Sequence, residues 1–308
     1  MYTITGVGGY VAAVTAERML EEIDPSQLRV TSRNEDNLAA CRARGVDARK
    51  ADYEDVASLQ DAFEGTERLF MVSAMEAGPH RQRQHRNAVS AAISAGVAHV
   101  VYTSFIGVEK SEVNSVEVAD HKLTESLIMG SGMTWNFLRN NQYADAMAEN
   151  QAVIAITSGK SIGNTGDAKV GFVARDDVAA VAAKVMLGAG EPDTAYEVTG
   201  PDLLSYREVG EMIAELSGAS IEIVDLTDEQ MYAMWDALGV PREATGDFSQ
   251  SPVPWCSDGM VTFGQLVRSG NMAKVTDVVE QFTGRKPRSL LELMHERRHT
   301  WPTAAVDA

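Results

Sequence analysis

The residues with the clearest chemical potential stand near the start of the chain, in the run Thr5-Gly6-Val7-Gly8-Gly9. A β-prone segment leads into these three glycines, and a segment with helical apolar spacing follows. A helix that begins there directs unpaired N–H groups and the positive end of its dipole above the turn, which suits a pyrophosphate. We expect Gly6 to form the turn, Gly9 to let the backbone approach the phosphates, and Ala12 to allow close helix–strand packing. The run therefore predicts a dinucleotide site, although three glycines can also be a simple turn.

Arg33 ends the second predicted strand and indicates which dinucleotide binds. A carboxylate at this position accepts the ribose 2′-hydroxyl of NAD, whereas an arginine can bind the 2′-phosphate of NADP. The sequence therefore favours NADPH over NADH, with an ordinary surface arginine as the alternative.

Two further positions follow predicted strands. Asp52 could accept a hydrogen bond from the adenine amine, or it could cap the next helix. Ser73 lies in a loop of small residues where the nicotinamide ribose would pass, or it is an ordinary loop residue. The other predicted cofactor-binding residues flank these positions: Val7, Gly8, Tyr10, Val11, Tyr53, Ala74 and Thr103.

The helix after the fifth strand lacks the Tyr-xxx-Lys pair of short-chain dehydrogenases, and the stretch from Val116 to Glu125 contains no tyrosine. Reduction of a simple ketone requires a positioned acid. A quinone or an extended conjugated acceptor spreads the incoming charge and can be protonated from solvent. His121 is the one imidazole on this helix, and it is either a proton donor or a structural residue. Tyr143 either covers the nicotinamide or substrate, or only packs.

Strands alternating with helices must position these residues. Apolar strands are predicted at 2–5, 28–33, 46–51, 68–72, 97–104 and 133–138, with helices between them. This alternation predicts an α/β fold with a doubly wound, Rossmann-type parallel sheet, in which ligands bind beyond the carboxyl ends of the strands. We expect an NADP-binding domain at residues 1–145 and a smaller α/β substrate lobe at 146–308, with some later segments returning to the sheet.

The amino-acid composition limits the classes of binding partner and the cellular location that we expect. The 308 residues carry 27 basic and 44 acidic side chains, and the formal net charge of −17 repels nucleic acid and anionic membranes. The two isolated cysteines predict neither a zinc site nor a disulfide, and they fit a reducing cytoplasm. We find no pattern of a signal peptide or a membrane span. A small-molecule acceptor is the expected partner, and nothing predicts the oligomeric state.

Six motifs together resemble the NmrA-like atypical short-chain dehydrogenases. They are Gly6-xx-Gly9-xx-Ala12, Arg33-Asn34, Ala51-Asp52-Tyr53, Tyr102-Thr103-Ser104, His121-xx-Thr124-Glu125 and Leu138-Arg139-Asn140-xx-Tyr143. The likeness runs from residue 2 to about residue 235, and it is greatest to the bacterial type 2 NAD(P)H:quinone oxidoreductases and the triphenylmethane reductases. The usual Thr-Gly-Ala-Thr-Gly turn is Thr5-Gly6-Val7-Gly8-Gly9 here, and the loop between Gly239 and Trp255 does not match well.

The resemblance implies a Rossmann domain with a small C-terminal lobe, and hydride transfer from NADPH to a quinone-like acceptor between them. It implies that Gly6, Gly9, Arg33, Asp52 and Ser73 bind the cofactor, and that His121, Asn140 and Tyr143 border the nicotinamide or substrate as catalytic candidates. Because the family also includes dinucleotide-binding regulators, a non-enzymatic NADP(H) sensor is the alternative function. A pathway-specific carbonyl or imine reductase is a further alternative.

Overall fold

A computed structural model describes residues 1–109, 112–244 and 248–303. The strands, in chain order, are β1 (Tyr2–Ile4), β2 (Leu28–Ser32), β3 (Asp47–Lys50), β4 (Arg68–Met71), β5 (His99–Phe105), β6 (Thr134–Asn140), β7 (Lys160–Gly163), β8 (Lys169–Val170), β9 (Thr194–Val198), β10 (Leu204–Ser205) and β11 (Glu222–Asp225). The α-helices are α1 (Tyr10–Leu20), α2 (Glu35–Arg42), α3 (Val56–Phe63), α4 (Pro79–Ser94), α5 (Val116–Met129), α6 (Ala152–Ser158), α7 (Arg175–Lys184), α8 (Tyr206–Ser217), α9 (Asp228–Ala237), α10 (Ser257–Arg268), α11 (Val278–Thr283) and α12 (Leu290–Arg297).

The main sheet confirms the predicted fold class. Within the described ranges it contains seven strands in the order β3-β2-β1-β4-β5-β6-β9, and every neighbouring pair is parallel. The chain leaves β1 in one direction towards β2 and β3, and it resumes on the other side of β1 with β4. This change of direction places the carboxyl ends of β1 and β4 at the switch point, where ligands bind in open α/β sheets.

Helices cover both faces of the sheet. On one face α7 packs against both α1 and α11, in a core that includes Ile4, Leu28 and Val30. On the other face α3, α4 and α5 cover a second core, which includes Leu69 and Met71 of β4. The central strands β4 and β5 are mostly apolar because both faces of the sheet are covered, whereas the edge strand β3 is polar.

The second half of the chain contributes both to the main sheet and to a separate cluster. Strand β9 pairs with β6 at the edge of the main sheet, whereas β7 pairs with β11 and β8 pairs with β10 in two small sheets. A third core joins α6, α8, α10 and α12. The domain boundary at residue 145 stays a prediction.

One helical segment was missing from the sequence interpretation. A π-helical stretch at Ala146–Gln151 runs directly into α6, and it buries Ala148, Ala152 and Ile156. Ser205 and Glu208 form a capping box at the start of α8, in which each side chain bonds the other residue's backbone N–H. No helix in the described ranges combines the length and the apolarity that crossing a membrane requires.

Candidate active site

The glycine turn joins β1 to α1 at the switch point. Gly6 has a φ of +71°, a conformation that favours glycine. The turn is held by two backbone bonds, from Val7 N to Thr31 O at 2.8 Å and from Gly9 N to Gly6 O at 2.8 Å. Gly9 stands at the N-cap position of α1, where no side chain caps the helix. The helix N-terminus is therefore available to an anion.

A cavity of about 500 Å³ opens above this turn, along the carboxyl ends of β1, β2, β3 and β4. Eight of the predicted cofactor residues line it: Gly6, Gly8, Gly9, Arg33, Asp52, Tyr53, Ser73 and Ala74. The structure therefore brings together residues that lie up to seventy positions apart in the sequence. Four other predicted residues, namely Val7, Tyr10, Val11 and Thr103, do not line this cavity.

Three of these four residues, Val7, Val11 and Thr103, are buried, whereas Tyr10 is exposed at the start of α1. Val7 and Val11 are buried in the core beneath the turn. Tyr10 lies under the guanidinium of Arg175, whose central carbon is 4.9 Å from the ring centre. Thr103 is buried and accepts a hydrogen bond from Ser73 N at 2.7 Å, so it fixes the loop that lines the cavity.

Arg33 is exposed at the rim of the cavity. Within the described ranges it makes no hydrogen bond or ion pair, whereas the nearby Arg42 and Arg44 are paired with Glu35 and Glu17. An arginine without a partner in so acidic a chain retains all of its donors for a ligand anion.

Asp52 does not cap the following helix, so that alternative interpretation is wrong. The cap of α3 is Asp55, whose carboxylate accepts hydrogen bonds from the backbone N–H groups of Ala57 and Ser58. Asp52 instead turns the chain, because its Oδ1 accepts from Glu54 N at 3.0 Å. The structural reason is that three residues, 53–55, separate Asp52 from the first residue of α3, and a cap must lie directly before the helix.

Hydrogen bonds from neighbouring elements hold the loop that follows β4. Ala74 N donates to His85 Nε2 at 3.0 Å, and Arg81 Nε donates to Ala74 O at 2.8 Å. Tyr53 closes the adjacent wall, with its hydroxyl 2.7 Å from Thr5 Oγ1 and donating to Val72 O at 2.9 Å. Burial raises the pKa of the Tyr53 phenol, so this hydroxyl stays protonated. Hydrogen bonds within the protein therefore fix this wall of the cavity.

Several residues of the cavity were not predicted. Asn37 on α2 donates from Nδ2 to Ser32 Oγ at 3.2 Å, and a Cβ on Gly8 would lie 2.3 Å from that nitrogen. Gly8 therefore leaves room for the Asn37 amide. Sequence periodicity carries no signal for such a contact. The other lining residues that were not predicted to bind the cofactor are Thr31, Ser32, Asn34, Ala51, Leu59, Val72, Met75, Glu76 and Gln84.

The three catalytic candidates form two separate groups. Asn140 Nδ2 donates to the Tyr143 hydroxyl at 3.4 Å, and the Oδ1 of Asn140 is buried without a hydrogen-bond partner. Burial raises the pKa of Tyr143 to about 12, which keeps this phenol neutral. His121 lies on α5, with Nδ1 2.7 Å from the Tyr102 hydroxyl. No hydrogen bond or ring contact of the described residues joins His121 to Asn140 or Tyr143.

Other motif residues serve the scaffold. Arg139 donates two hydrogen bonds to the Glu125 carboxylate, at 2.9 and 2.7 Å, and Ser104 Oγ donates to the same carboxylate at 2.5 Å. All three are buried. Because these contacts join β5, β6 and α5, the Thr124-Glu125 and Leu138-Arg139 motifs fix the strand ends that carry the site residues.

The residues present fit a dinucleotide phosphate. The uncapped start of α1 and the unpaired Arg33 supply positive potential, and Ser32, Asn34 and Asn37 add polar groups at the same rim. No side chain of the described residues already occupies the α1 N-terminus as a cap.

Comparisons with known proteins agree with this geometry. A model of the NAD(P)H-binding family matches residues 6–187. Quinone oxidoreductase 2 of Escherichia coli (strain K12) is 32% identical over 260 residues, which are 84% of this chain and 90% of that protein. A (4-alkanoyl-5-oxo-2,5-dihydrofuran-3-yl)methyl phosphate reductase of Streptomyces griseus subsp. griseus is 27% identical and covers 94% of each chain. The crystal structure of the NADPH-dependent E. coli quinone oxidoreductase complexed with NADPH superposes with a TM-score of 0.84 at 27% identity, covering 97% of this chain and 99% of that one.

Proposed function

This chain belongs to the NAD(P)H-binding family, within the NmrA-like short-chain dehydrogenases, and from that premise we propose that it is an NADPH-dependent reductase of quinone-like or conjugated small molecules. The observation that carries the proposal is the cavity at the switch point, where an uncapped glycine turn and an unpaired arginine, Arg33, share one rim. The similarity to reductases of quinones and of a dihydrofuranone phosphate supports the reaction type.

The chain's own residues would hold the cofactor along the edge of the sheet. The turn from Gly6 to Gly9 would receive the pyrophosphate, and Arg33 would bind the 2′-phosphate. Ser73 and Ala74 would border the nicotinamide ribose, held in place by Thr103 and His85. NADPH, when bound, supplies the hydride.

The acceptor would lie near Asn140, Tyr143 and His121. In the overall reaction a quinone takes up one hydride and one proton and becomes a hydroquinone, while NADPH becomes NADP⁺. The described residues place no charged acid at these three positions, since burial keeps the Tyr143 phenol neutral and holds the pKa of His121 well below its ordinary value. Solvent would therefore supply the proton, which suits an acceptor that delocalises the incoming charge.

Reductase activity is tested by following the absorbance of reduced cofactor with a panel of acceptors: menadione, 1,4-benzoquinone, a triphenylmethane dye, an azo dye and cyclohexanone. We expect turnover of the quinones, with one NADPH consumed per quinone, and little turnover of cyclohexanone. The assay is run under anaerobic conditions, so that reoxidation of the hydroquinone by oxygen does not consume further NADPH.

The same assay distinguishes the proposed quinone reductase from the alternative functions. Tight NADPH binding without turnover of any acceptor would overturn the reductase proposal and support a dinucleotide sensor. Faster turnover of cyclohexanone than of the quinones would indicate a carbonyl reductase instead.

A further inference from the structure

A row of neighbouring rings, packed edge to face, tilted or stacked, leads from the cofactor cavity to the C-terminal half of the chain. Its members, which we call the aromatic row, are Tyr53, His85, Tyr102, His121 and Phe105, with successive ring centres 6.2, 5.7, 5.7 and 5.8 Å apart. Tyr53 lines the cavity, and Phe105 ends β5 and contacts Phe263 of α10 at 6.4 Å. His121 therefore lies between the cofactor cavity and the second half of the molecule.

The hydrogen bond between Tyr102 and His121 has a defined direction. Tyr102 is fully buried, and its hydroxyl lies 2.7 Å from His121 Nδ1, with the hydroxyls of Thr124 and Ser73 also nearby. A phenol O–H is a stronger hydrogen-bond donor than an imidazole N–H, and an unprotonated imidazole nitrogen is a stronger acceptor than a phenol oxygen. The tyrosine therefore donates, Nδ1 accepts, and the imidazole hydrogen lies on Nε2.

The other nitrogen of His121 is available to a ligand. Nε2 has no hydrogen-bond partner among the described residues, and it is not one of the buried polar atoms that lack a partner. It therefore retains contact with solvent, although the residue as a whole is only 7% exposed. Phe105 stacks on the ring at an interplanar angle of 23° and restricts its rotation.

We propose that Tyr102 is a positioning residue that fixes His121 as the Nε2–H tautomer, so that His121 donates a hydrogen bond to the acceptor oxygen during hydride transfer. This inference rests on the proposed reductase function. A neutral imidazole aimed at a developing oxyanion stabilises charge without first being protonated.

The surroundings of His121 keep it neutral. Burial, Arg81 of α4 and His85 of α4 lower its pKa well below the ordinary value. The Tyr102 phenol on β5 stays protonated because burial raises its pKa. On α5 itself, the carboxylate of Asp120 is occupied by Gly78 N and Gln82 Nε2. The phenyl ring of Phe263, on α10, carries no charge. His121 is therefore a hydrogen-bond donor, and the proton that completes the product comes from solvent.

Two substitutions of His121 test which nitrogen matters. The amide of His121→Gln reaches the position of Nε2, whereas the amide of His121→Asn reaches only the position of Nδ1. We expect H121Q to keep quinone reduction within about threefold of the wild type and H121N to lose about tenfold or more in kcat, the effect of one misplaced donor. Equal losses, or greater activity in H121N, would overturn the inference in favour of a structural bond to Tyr102.

A spectroscopic measurement reads the tautomer directly and does not depend on turnover. In wild-type protein labelled with ¹⁵N-histidine, at neutral pH, we expect His121 to show a pyridine-like Nδ1 and a pyrrole-like Nε2. Tyr102→Phe should shift the Nδ1 signal, because the donor is lost while the ring remains. The matched control, Tyr196→Phe, also loses one phenol hydrogen bond, from Glu191 N, and should leave the signal unchanged. A protonated Nδ1 in the wild type would refute the assignment, whereas a wild type that reduces no acceptor would refute the proposed function alone.

Discussion

At the scale of single residues, the informative feature of the cavity is a charge that the protein leaves unpaired. Arg33 makes no ion pair in the described part of the chain, although the protein carries a formal net charge of −17 and neighbouring arginines are engaged by carboxylates. The negative net charge repels an anionic cofactor at long range, and hydrogen-bond donors that face the ligand offset this repulsion. Discrimination between NADPH and NADH should therefore depend on this one side chain.

Arg33→Ala should weaken NADPH binding roughly ten- to a hundredfold and leave NADH binding nearly unchanged, because a hydrogen bond to a charged group contributes about 1.5–3 kcal/mol. The measurement is the dissociation constant of each cofactor, by fluorescence titration. Arg44→Ala is the matched control, since Arg44 is paired with Glu17 and does not line the cavity. Equal losses for both cofactors would contradict the role of Arg33. The difference between the cofactors should also shrink at high salt, which screens exposed charges.

The positions of the candidate residues were predicted best where backbone geometry determines them. The glycines of the turn and Arg33 lie where strand ends place them. Thr103 and Val11 were also predicted to bind the cofactor, yet both are buried: Val11 lies beneath the turn, and Thr103 accepts a hydrogen bond from Ser73 N in the loop after β4. Which way a side chain points at a strand end depends on the neighbouring strand, and a single strand's pattern does not contain that information.

At the scale of elements, close backbone approaches hold the C-terminal half against the main sheet. Gly200, just after β9, donates from its N–H to Gly171 O at 3.2 Å, and a Cβ at Gly200 would lie 1.8 Å from Phe172 O. Backbone atoms cannot move aside as the end of a flexible side chain can. The segment after β9 and the segment after β8 therefore require glycine at this crossing.

Gly200→Ala should reduce the free energy of unfolding by about 3 kcal/mol or more, because overpacking against backbone must displace both segments. The control is Gly163→Ala in β7, where a Cβ would meet nothing within 4 Å and which should be nearly neutral. Urea unfolding followed by circular dichroism measures both. Similar stabilities for the two variants would show that the crossing relaxes easily.

At the scale of the whole molecule, buried histidines link the fold to pH. Burial and Arg81 lower the pKa of His85 to about 3, and burial and Arg68 lower that of His99 to about 4. The ordinary pKa of histidine in an unfolded chain is about 6.5. Below this pH the two histidines bind protons in the unfolded chain, whereas they stay neutral in the folded protein. The two buried histidines therefore contribute fully to stability above about pH 6.5. This contribution is lost as the pH falls towards about 4 for His99 and about 3 for His85.

We expect the unfolding free energy to fall by about 1.4 kcal/mol per pH unit for each such histidine between about pH 6 and pH 4.5. His99→Gln should remove one histidine's share of this slope, since His99 lies at the amino end of β5, away from the cavity. Urea titrations at several pH values give the slope. His295→Gln, on the exposed side of α12, is the control and should leave the slope unchanged. An unaltered slope in H99Q would mean that His99 is protonated in the folded protein.

The sequence by itself determined the order of strands and helices, the parallel sheet and the glycine turn, because these follow from apolar periodicity and from the conformations open to glycine. It also located Arg33, since the end of the second strand is fixed by the βαβ unit. The missed helix at Ala146–Gln151 and α6 shows the limit of periodicity in a short alanine-rich stretch, where small side chains give little contrast between buried and exposed faces.

Only the tertiary structure decided which residues face one another. The Asn37 amide against Gly8, the Thr103 hydroxyl under Ser73 and the Tyr102 hydroxyl on His121 join residues from different elements. Such contacts depend on the relative placement of packed strands and helices, and no local pattern encodes that placement. For the same reason the sequence marked His121 as a candidate, whereas the direction of its hydrogen bond required the buried tyrosine beside it.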